Sequence, residues 1–294
     1  MFSCGADKKE NDLTKVNLFG NVKSVRIKSY DALEKFGEYT KGEFYYKLNT
    51  FWEYNINGDL TKKSSTNQDG IVKENIYLYD DRGNQIESGF KLLDGSFSFK
   101  EKFKYNDKGH VIEHIYDSEG IFQHNYSYKS KYDNNGNIIE SAKYNDELRL
   151  SFKEKYKYDN NGNITDSAKY YDDGTLWIQQ IYNDGGNIIE IVNYSPIGTV
   201  NSKQKFQYDN KGSMIEKKYY KRDGSLTGNY KYEYDNSGNI VKEIIASPKR
   251  SIKSKTYKYE FDKQGNWIKQ VNFRDEKATI IVEREIVYYW FYNF

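Results

Sequence analysis

The sequence predicts an all-β protein of tandem antiparallel β-hairpins, with about nine units of about 26 residues that form one long twisted or coiled meander sheet. The first observation is the run Tyr-Asp-Asn-Asn-Gly-Asn-Ile, which is complete at 132–138 and at 158–164. Its glycine recurs at intervals of 24 to 27 residues, at Gly58, Gly83, Gly109, Gly136, Gly162, Gly186, Gly212, Gly238 and Gly265. The second observation is that a polar chain contains 30 tyrosines and 16 phenylalanines, and aromatic residues suit a half-buried pleated surface.

Each of these glycines closes a predicted turn that begins at an aspartate or asparagine three positions earlier, as Asp133 does before Gly136. The Asx side chain accepts from backbone N–H groups of the turn, and glycine adopts the positive φ that a β-carbon resists. This is the chemistry of a three-residue hairpin loop with a glycine bulge. The resulting register pairs the tyrosine before the turn with the residue two after glycine: Tyr132 with Ile138, Tyr158 with Ile164 and Tyr234 with Ile240.

A second turn is predicted about twelve residues after each of these glycines, as at Asp173-Gly174, so each unit contributes two strands. Simple alternation of side chains then assigns one face to aromatic and aliphatic residues and the other to polar ones. The predicted aromatic face carries Tyr156, Tyr158, Ile164, Ala168 and Tyr170. The predicted polar face carries Lys157, Thr165, Ser167 and Lys169.

The repeats divide the chain into four predicted segments: an N-terminal tether at 1–15, N-terminal capping strands at 16–50, the repeat array at 51–276 and a C-terminal capping strand at 277–294. Within the N-terminal cap, residues 18–30 alternate like a strand, and residues 31–42 are predicted to be a loop or short helix. The apolar C-terminal segment is expected to pair with or pack over the last repeat, because an uncovered edge would promote aggregation.

The composition excludes several classes of protein. The 45 lysines and arginines are balanced by 43 aspartates and glutamates, so no charge excess favours nucleic acid as a partner. A single cysteine allows no internal disulfide and no cysteine-based metal cage. No apolar run approaches the length that a membrane-spanning helix needs.

The single cysteine, Cys4, lies in the run Phe2-Ser3-Cys4-Gly5, which resembles the end of a lipoprotein signal. This resemblance implies acylation of Cys4 and attachment to the bacterial cell envelope, with the outer membrane as the expected location. The contact with the membrane would then be through the lipid anchor only. The alternative is a free thiol near the terminus.

The repeated Tyr-Asp-x-x-Gly-Asn-Ile run resembles the YD repeats of the Rhs family of bacterial surface and toxin-associated proteins, over about residues 52–275. The resemblance implies a spiralling β-sheet, which in that family is sometimes closed into a hollow shell. Two features differ from the family: the unit is longer, and the Asp-Pro-rich core motif is absent, since Pro196 and Pro248 are the only prolines. A toxin-enclosing shell is therefore not implied, and an envelope lipoprotein built of such repeats is the closer match.

Two groups of residues suggest chemistry, and the simpler interpretation is preferred for both. The histidines, His110, His114 and His124, fall within one unit, but no carboxylate completes a metal-ligand spacing, so no metal or cofactor is predicted. A row of carboxylates invites comparison with a glycosidase pair, but lysines oppose it, and a solvated ion-pair row is the preferred interpretation. Its members are Glu87, Glu113, Glu140, Asp166, Glu190 and Glu216. No enzymatic activity is predicted.

The aromatic ladder is the leading candidate for ligand binding, through stacking on sugar rings or on a partner peptide. Its proposed members are Tyr132, Tyr156, Tyr158, Tyr182, Tyr208 and Tyr234; the alternative is that they pack on one another. The predicted function is a non-catalytic, lipid-anchored envelope scaffold that binds a glycan or an envelope or secreted protein. Two alternatives are a structural part of an Rhs-like toxin or secretion assembly and a glycoside hydrolase.

Overall fold

The computed structural model describes residues 11–44, 49–67, 70–92, 94–118, 125–248 and 250–290. One short helix, α1 (Asp12–Lys15), precedes the strands. The first strands are β1 (Val22–Lys35), β2 (Glu38–Phe44), β3 (Thr50–Tyr54), β4 (Leu60–Asn67), β5 (Gly70–Tyr79), β6 (Gln85–Lys91) and β7 (Phe97–Tyr105). The middle strands are β8 (Val111–Ser118), β9 (Tyr126–Tyr132), β10 (Ile138–Asn145), β11 (Leu150–Tyr158), β12 (Ile164–Tyr171), β13 (Leu176–Tyr182) and β14 (Ile188–Tyr194). The last are β15 (Val200–Tyr208), β16 (Met214–Lys221), β17 (Leu226–Tyr234), β18 (Ile240–Ser247), β19 (Arg250–Phe261), β20 (Trp267–Arg274) and β21 (Lys277–Tyr288).

The chain forms two compact units. Unit 1 contains residues 1–98 and 257–294, and unit 2 contains residues 99–256. No helix among the described residues has the length and apolar character needed to cross a membrane.

The predicted open meander is wrong, because the sheet closes on itself. All 21 described strands belong to one antiparallel sheet, in which the successive strands from β3 to β21 pair as a meander. Strand β1 pairs with β21 along one side and with β3 along the other. The first and last parts of the meander are therefore joined through β1, and the pairings of all described strands except β2 form a closed cycle of 20 strands. Closure pairs both sides of the 20 strands, and among the described strands only β2, which pairs with β1 alone, keeps an unpaired edge.

The predicted turn is confirmed. In the unit at 158–164, Asp159 Oδ1 accepts from the N–H groups of Asn161 and Asn163 at 2.9 and 2.8 Å. The Gly162 N–H donates to the Asp159 carbonyl at 3.1 Å, and Gly162 has a φ of +83°. The predicted tyrosine–isoleucine pairs are all present, Tyr132 with Ile138, Tyr158 with Ile164 and Tyr234 with Ile240.

The predicted division of residues between the two faces is wrong beyond the first pair, because a bulge follows the turn. Tyr158 pairs with Ile164, but the next pair is Lys157 with Asp166, so Thr165 is an extra residue. A bulge of one residue moves every later side chain to the opposite face. Ser167 and Lys169 consequently lie on the aromatic face, whereas Ala168 and Tyr170 lie opposite lysines on the other face, which we call the lysine face. The corresponding extra residues of other units are Ile86, Ile112, Ile139, Ile189, Ile215 and Val241.

The segment at 31–42, predicted to be a loop or short helix, is a β-hairpin. Strand β1 continues through Lys35 and turns at Phe36 and Gly37, both of which have positive φ, into β2. Two consecutive residues of positive φ define the tight turn whose twist matches paired strands. Phenylalanine is a rare residue in that conformation, so the residue types at this turn did not predict it.

The core of unit 1 lies where the strands meet the N-terminal helix. Leu13, Leu18, Val22, Val25 and Tyr54 form one buried cluster. A second cluster contains Val271, Phe273, Ala278 and Ile281.

Unit 2 has few fully buried apolar side chains. Ala142, Ala168 and Val192 are the buried hydrophobic residues among its described residues, and all three lie on the lysine face, where lysines flank them across the strands. The aliphatic stems of those lysines cover the small side chains while their ammonium groups stay in water.

Closure can be tested by cross-linking β1 to both of its neighbours. In a Cys4→Ser background, we expect a disulfide in Lys28→Cys/Glu283→Cys and another in Arg26→Cys/Phe51→Cys, because each pair is directly opposite across the strands. Non-reducing peptide mapping measures both bonds, and the four single-cysteine variants are the controls. If only one of the two disulfides forms, the sheet is open and the assignment of a closed strand order fails.

Candidate functional site

Four of the six tyrosines predicted to bind ligand join one hairpin repeat to the repeat before it. The Tyr158 hydroxyl donates to the Ile138 carbonyl at 2.8 Å. The same bond links Tyr132 to Val111 at 2.7 Å, Tyr208 to Ile188 at 2.8 Å and Tyr234 to Met214 at 2.8 Å. Burial raises the pKa of all four phenols, which keeps them protonated as donors. These hydroxyls are therefore structural.

The acceptor carbonyls are available because of the bulge after each turn. Ile138 pairs with Tyr132, and the next pair is Glu140 with Lys131, so the ladder is interrupted at Ile139. A bulge locally disrupts the ladder of backbone hydrogen bonds, and a shielded carbonyl requires a partner. The tyrosine of the following unit supplies that partner.

The other two tyrosines lie on the same face without this bond. The Tyr182 hydroxyl donates to Gln180 Oε1 at 2.9 Å and lies 3.4 Å from Ser167 Oγ. Tyr156 is opposite Ser167, and burial, with the Glu154 carboxylate as the next cause, raises the pKa of Tyr156. The six tyrosines thus share one face, as predicted, and the hydroxyls of five of them donate hydrogen bonds within the protein.

Toward the opposite ends of the strands, the same face of unit 2 carries a second set of aromatic rings. His114 stacks on Tyr128 with ring centroids 5.4 Å apart, and Tyr128 meets Phe152 edge-on at 5.9 Å. Phe152 in turn meets Trp177 at 6.1 Å, and Trp177 stacks on Tyr171 at 5.1 Å. The rings form a continuous series across strands β8 to β13.

Two lysines lie over these rings. Lys143 Nζ is 3.6 Å from the ring centroid of Tyr126 and 5.7 Å from that of Tyr128. Lys169 Nζ is 4.4 Å from the Phe152 centroid and 5.8 Å from the Trp177 centroid. These distances are typical of cation–π contacts. We call this set the aromatic–lysine face; its residues are Tyr126, Tyr128, Lys143, Phe152, Lys169 and Trp177.

The two lysines differ in their partners. Lys169 Nζ lies 3.7 Å from Glu154 Oε2, whereas no carboxylate of the described residues is paired with Lys143. Burial, and then the neighbouring Lys169 charge, lowers the pKa of Lys143 below its ordinary value. All six residues of the face are half-buried. A ligand that brings a negative charge would therefore meet an ammonium group that no carboxylate yet neutralises.

The sequence did not point to this face, because it depends on bulges. Lys169 pairs with Ile178 and Tyr170 with Leu176, so Trp177 is the extra residue after the second turn of its unit. That bulge brings Trp177 against Tyr171, and the earlier bulge at Thr165 brings Lys169 to the same side. The aspartate–glycine pair before Trp177 was the one signal available, since such hairpin loops often contain a bulge.

The predicted carboxylate row lies on the lysine face, and five of its six members, all except Glu87, are paired with lysines among the described residues. Glu140 is 3.0 Å from Lys131 Nζ and 3.7 Å from Lys153 Nζ, and Glu190 is 3.5 Å from Lys203 and from Lys205. The hydrogen bond from Lys131 holds the pKa of Glu140 below its usual range. A glycosidase acid needs the opposite shift, so this row gives no support to the hydrolase alternative.

The described histidines are parts of aromatic stacks. His110 stacks on Tyr132 with ring centroids 4.7 Å apart, and its imidazole covers Gly136, where an added Cβ would come within 2.7 Å of it. His114 lies between Phe103 at 4.5 Å and Tyr128. His124 lies outside the described residues, among which no group of three or more metal-ligating side chains is found.

Comparison with known proteins gives only distant likenesses. No family model and no curated protein matches the chain. A porin-like protein from Bacteroides uniformis ATCC 8492 is 13% identical, covers 90% of this chain and 98% of its own, and has a TM-score of 0.38. A porin-like protein from Bacteroides vulgatus ATCC 8482 is 10% identical, covers 91% and 98%, and has a TM-score of 0.32. A TcdB2-TccC3 structure is 11% identical over 79% of this chain and 17% of its own, with a TM-score of 0.27. Such low similarity carries no argument about function.

The predicted function, a lipid-anchored scaffold that presents an open repeat sheet, is wrong. The sheet is not open, because β1 pairs with β21 along one side and with β3 along the other. The outer-membrane location stays a prediction. Acylation of Cys4 stays a prediction, and Cys4 lies outside the described residues. The resemblance to Rhs repeats, the glycan or protein partner and the absence of enzymatic activity also stay predictions.

The structural role of the tyrosine row predicts a loss of stability in Tyr158→Phe. The variant removes the donor to the Ile138 carbonyl, so we expect the free energy of unfolding to fall by about 0.5–1.5 kcal/mol. Urea denaturation measures this change. Tyr170→Phe is the matched control, because Tyr170 lies on the opposite face and its hydroxyl makes no hydrogen bond to the described residues. Equal losses in the two variants would contradict the assigned role.

Proposed function

We propose that this chain is a non-enzymatic protein of the bacterial cell envelope, built on a closed β-sheet, that binds an acidic carbohydrate on the aromatic–lysine face of unit 2. The observation that supports this most directly is the position of Lys143, half-buried over the rings of Tyr126 and Tyr128. The ligand class follows from the two kinds of group present, flat apolar rings and ammonium donors. A sugar ring stacks on the first, and a carboxylate on the sugar accepts from the second.

The charge balance of the face favours an anionic ligand over a neutral one. The Glu154 carboxylate lies 3.7 Å from Lys169 Nζ and neutralises that lysine. Lys143 has no carboxylate partner among the described residues. A charge-assisted hydrogen bond is about twice as strong as one between neutral groups. A uronic acid in contact with Lys143 would make such a bond, and a neutral sugar would not.

The geometry also favours a chain of sugars over a single ring. The aromatic series runs across several strands, from Tyr126 and Tyr128 on β9 through Phe152 on β11 to Trp177 on β13. Strands that alternate in this way are separated by about 9.6 Å, twice the spacing of neighbouring strands. An oligosaccharide that crosses these strands would therefore contact more than one of the rings, which a single sugar would not.

Solute passage is a second candidate function, favoured by the closed strand order. A closed barrel satisfies every backbone group internally, which is the condition for a β-sheet in a bilayer. A lipid-facing surface would also require an apolar band. In unit 2, the aromatic face carries Lys143 and Lys169 and the other face carries the lysine–carboxylate pairs, so carbohydrate binding is placed first.

The proposal predicts selective binding of an acidic oligosaccharide. In isothermal titration, an oligogalacturonate is expected to bind the protein, and neutral cellohexaose to bind at least about tenfold more weakly. Lys143→Met keeps an unbranched side chain over Tyr126 but removes the charge, so the dissociation constant for oligogalacturonate should rise by about tenfold or more.

Lys155→Met is the matched control, because Lys155 lies on the lysine face opposite Ala168. Its affinity should equal that of the parent protein. The proposal fails if Lys155→Met weakens binding as much as Lys143→Met, or if no acidic oligosaccharide binds. Conductance across a planar bilayer without any oligosaccharide binding would favour solute passage instead.

The proposal also predicts a characteristic pH dependence. Because the pKa of Lys143 is lowered, its charge is lost at a lower pH than that of an ordinary lysine, and affinity should decline as pH rises through that range. Lys143→Arg keeps its charge throughout, since arginine stays protonated, and should retain its affinity at alkaline pH. Titrations between neutral pH and about pH 10.5 compare the two proteins, and parallel declines would show that Lys143 does not contact the ligand.

A further inference from the structure

A surface cavity of about 290 Å³ in unit 2 is lined mainly by cationic residues. It lies where β15, β16 and the turn after β16 meet. We call it the cationic pocket; its residues are Val200, Lys203, Lys205, Tyr220, Lys221, Arg222 and Gly224. Its volume is near the lower end of the range for small-molecule sites, so a small ligand has room there. Lys205, Lys221 and Arg222 are exposed, so a ligand can reach them.

The positive charge of the cationic pocket exceeds the negative charge beside it. Lys203 Nζ and Lys205 Nζ both lie 3.5 Å from the carboxylate of Glu190, which they share. Neither Lys221 nor Arg222 forms an ion pair with a carboxylate in the part of the chain that the structure describes. Four cations are therefore accompanied by one paired carboxylate.

The carboxylate of Asp223, next in the chain, is engaged in the turn. Its Oδ1 accepts from the Ser225 N–H at 2.8 Å. The hydrogen bonds from Ser225 are the main cause of the lowered pKa of Asp223, and the charge of Lys221 is a smaller cause. Asp223 does not line the cationic pocket. Even when it is counted, four cations outnumber two carboxylates, so an excess of positive charge remains.

The hairpin of β11 and β12 reproduces part of this arrangement. Lys153 lies opposite Tyr170 there, as Lys203 lies opposite Tyr220 in the cationic pocket. Glu140 is 3.7 Å from Lys153 Nζ, so the lysine of that hairpin is also paired with a carboxylate. The lysine, the tyrosine and the carboxylate therefore recur with the fold and indicate no ligand by themselves.

The two cations that follow Tyr220 distinguish the cationic pocket from that hairpin. At the corresponding positions the hairpin of β11 and β12 has Tyr171 and Asp172, where this one has Lys221 and Arg222. Both turns contain a glycine of positive φ two residues farther on, so the turn does not require the added cations. Like charges placed close together repel, and a bound anion would offset that repulsion.

We infer that the cationic pocket binds a phosphate monoester. Such a group carries a charge of about −1.5 to −2 at neutral pH and three acceptor oxygens, which matches the excess of positive charge. The guanidinium of Arg222 can donate to two of these oxygens, and the lysines act as point charges. Val200 and Tyr220 offer apolar surface to the sugar or lipid that bears the phosphate. The pocket shares no residue with the aromatic–lysine face, so this inference does not rest on the proposed carbohydrate binding.

The test is isothermal titration in a buffer free of phosphate and sulfate. Glucose 6-phosphate supplies a soluble phosphate monoester, and phosphatidic acid in phosphatidylcholine vesicles supplies a lipid one. We expect the parent protein to bind at least one of them, and the tighter of the two identifies the source of the phosphate. Glucose, and phosphatidylglycerol vesicles of equal surface charge, should each bind at least about fivefold more weakly than the matching monoester.

The double variant Lys221→Gln/Arg222→Gln removes the two added cations, and the dissociation constant should rise by about tenfold or more. Lys153→Gln/Lys155→Gln is the matched control, because it removes two charges from the corresponding hairpin and should keep the parent affinity. Glu190→Gln gives an independent readout. It removes the carboxylate that competes for the lysines of the pocket, so binding should tighten by about threefold. Circular dichroism checks that each variant folds.

The inference is overturned if neither monoester binds the parent, or if the glucose and phosphatidylglycerol controls bind equally well. It is also overturned if Lys221→Gln/Arg222→Gln binds like the parent, if the matched control loses as much affinity, or if Glu190→Gln binds more weakly. Lys143→Met should keep phosphate binding, and Lys221→Gln/Arg222→Gln should keep oligogalacturonate binding. Failure of this inference is therefore distinct from failure of the proposed carbohydrate binding.

Discussion

The sheet depends on hydrogen bonds between an Asx side chain and the backbone of its own turn. At Asp159, one carboxylate oxygen holds two N–H groups of the loop, and glycine at Gly162 completes the reversal with positive φ. The Asn163 side chain and the backbone N–H groups lower the pKa of Asp159. The stability from this ionised carboxylate is present above the pKa of an unfolded aspartate and is lost as pH falls through the folded pKa. Because the turn recurs, the chain reverses at regular intervals.

The bulges give the two faces their composition. Each hairpin gains one extra residue after its turn, so the alternation of side chains restarts there. The bulge leaves a backbone carbonyl without a ladder partner, and the tyrosine of the next hairpin repeat donates to it. The bulge also places Lys169 on the face that carries Phe152. The same irregularity that joins neighbouring units therefore also creates the cluster of rings and lysines. In this protein, a structural device and a candidate site have one physical origin.

Local features were predictable from the sequence, and non-local ones were not. The turn and the Tyr158–Ile164 pair depend on residues within seven positions, so the motif was sufficient to predict them. The side of Ser167 and Lys169 was predicted wrongly because nothing in the residue types marks Thr165 as an extra residue. The partners of β1 are more than 200 residues apart on one side, between Val25 and Ile286, and no periodicity within the chain encodes such a pair. The aromatic–lysine face and the cationic pocket arise from bulges and cross-strand pairs, and sequence reasoning missed both.

The position of β1 between β21 and β3 also constrains how such a protein can change in size. A ring in which every neighbour is antiparallel must contain an even number of strands, because an odd number would leave one pair side by side in the same direction. One hairpin repeat adds two strands, so gain or loss of a whole repeat keeps the strands that pair with β1 antiparallel to it. Gain or loss of a single strand does not. Evolution by duplication of the hairpin gene segment is therefore compatible with the fold, and the circumference can grow or shrink only in steps of one complete hairpin.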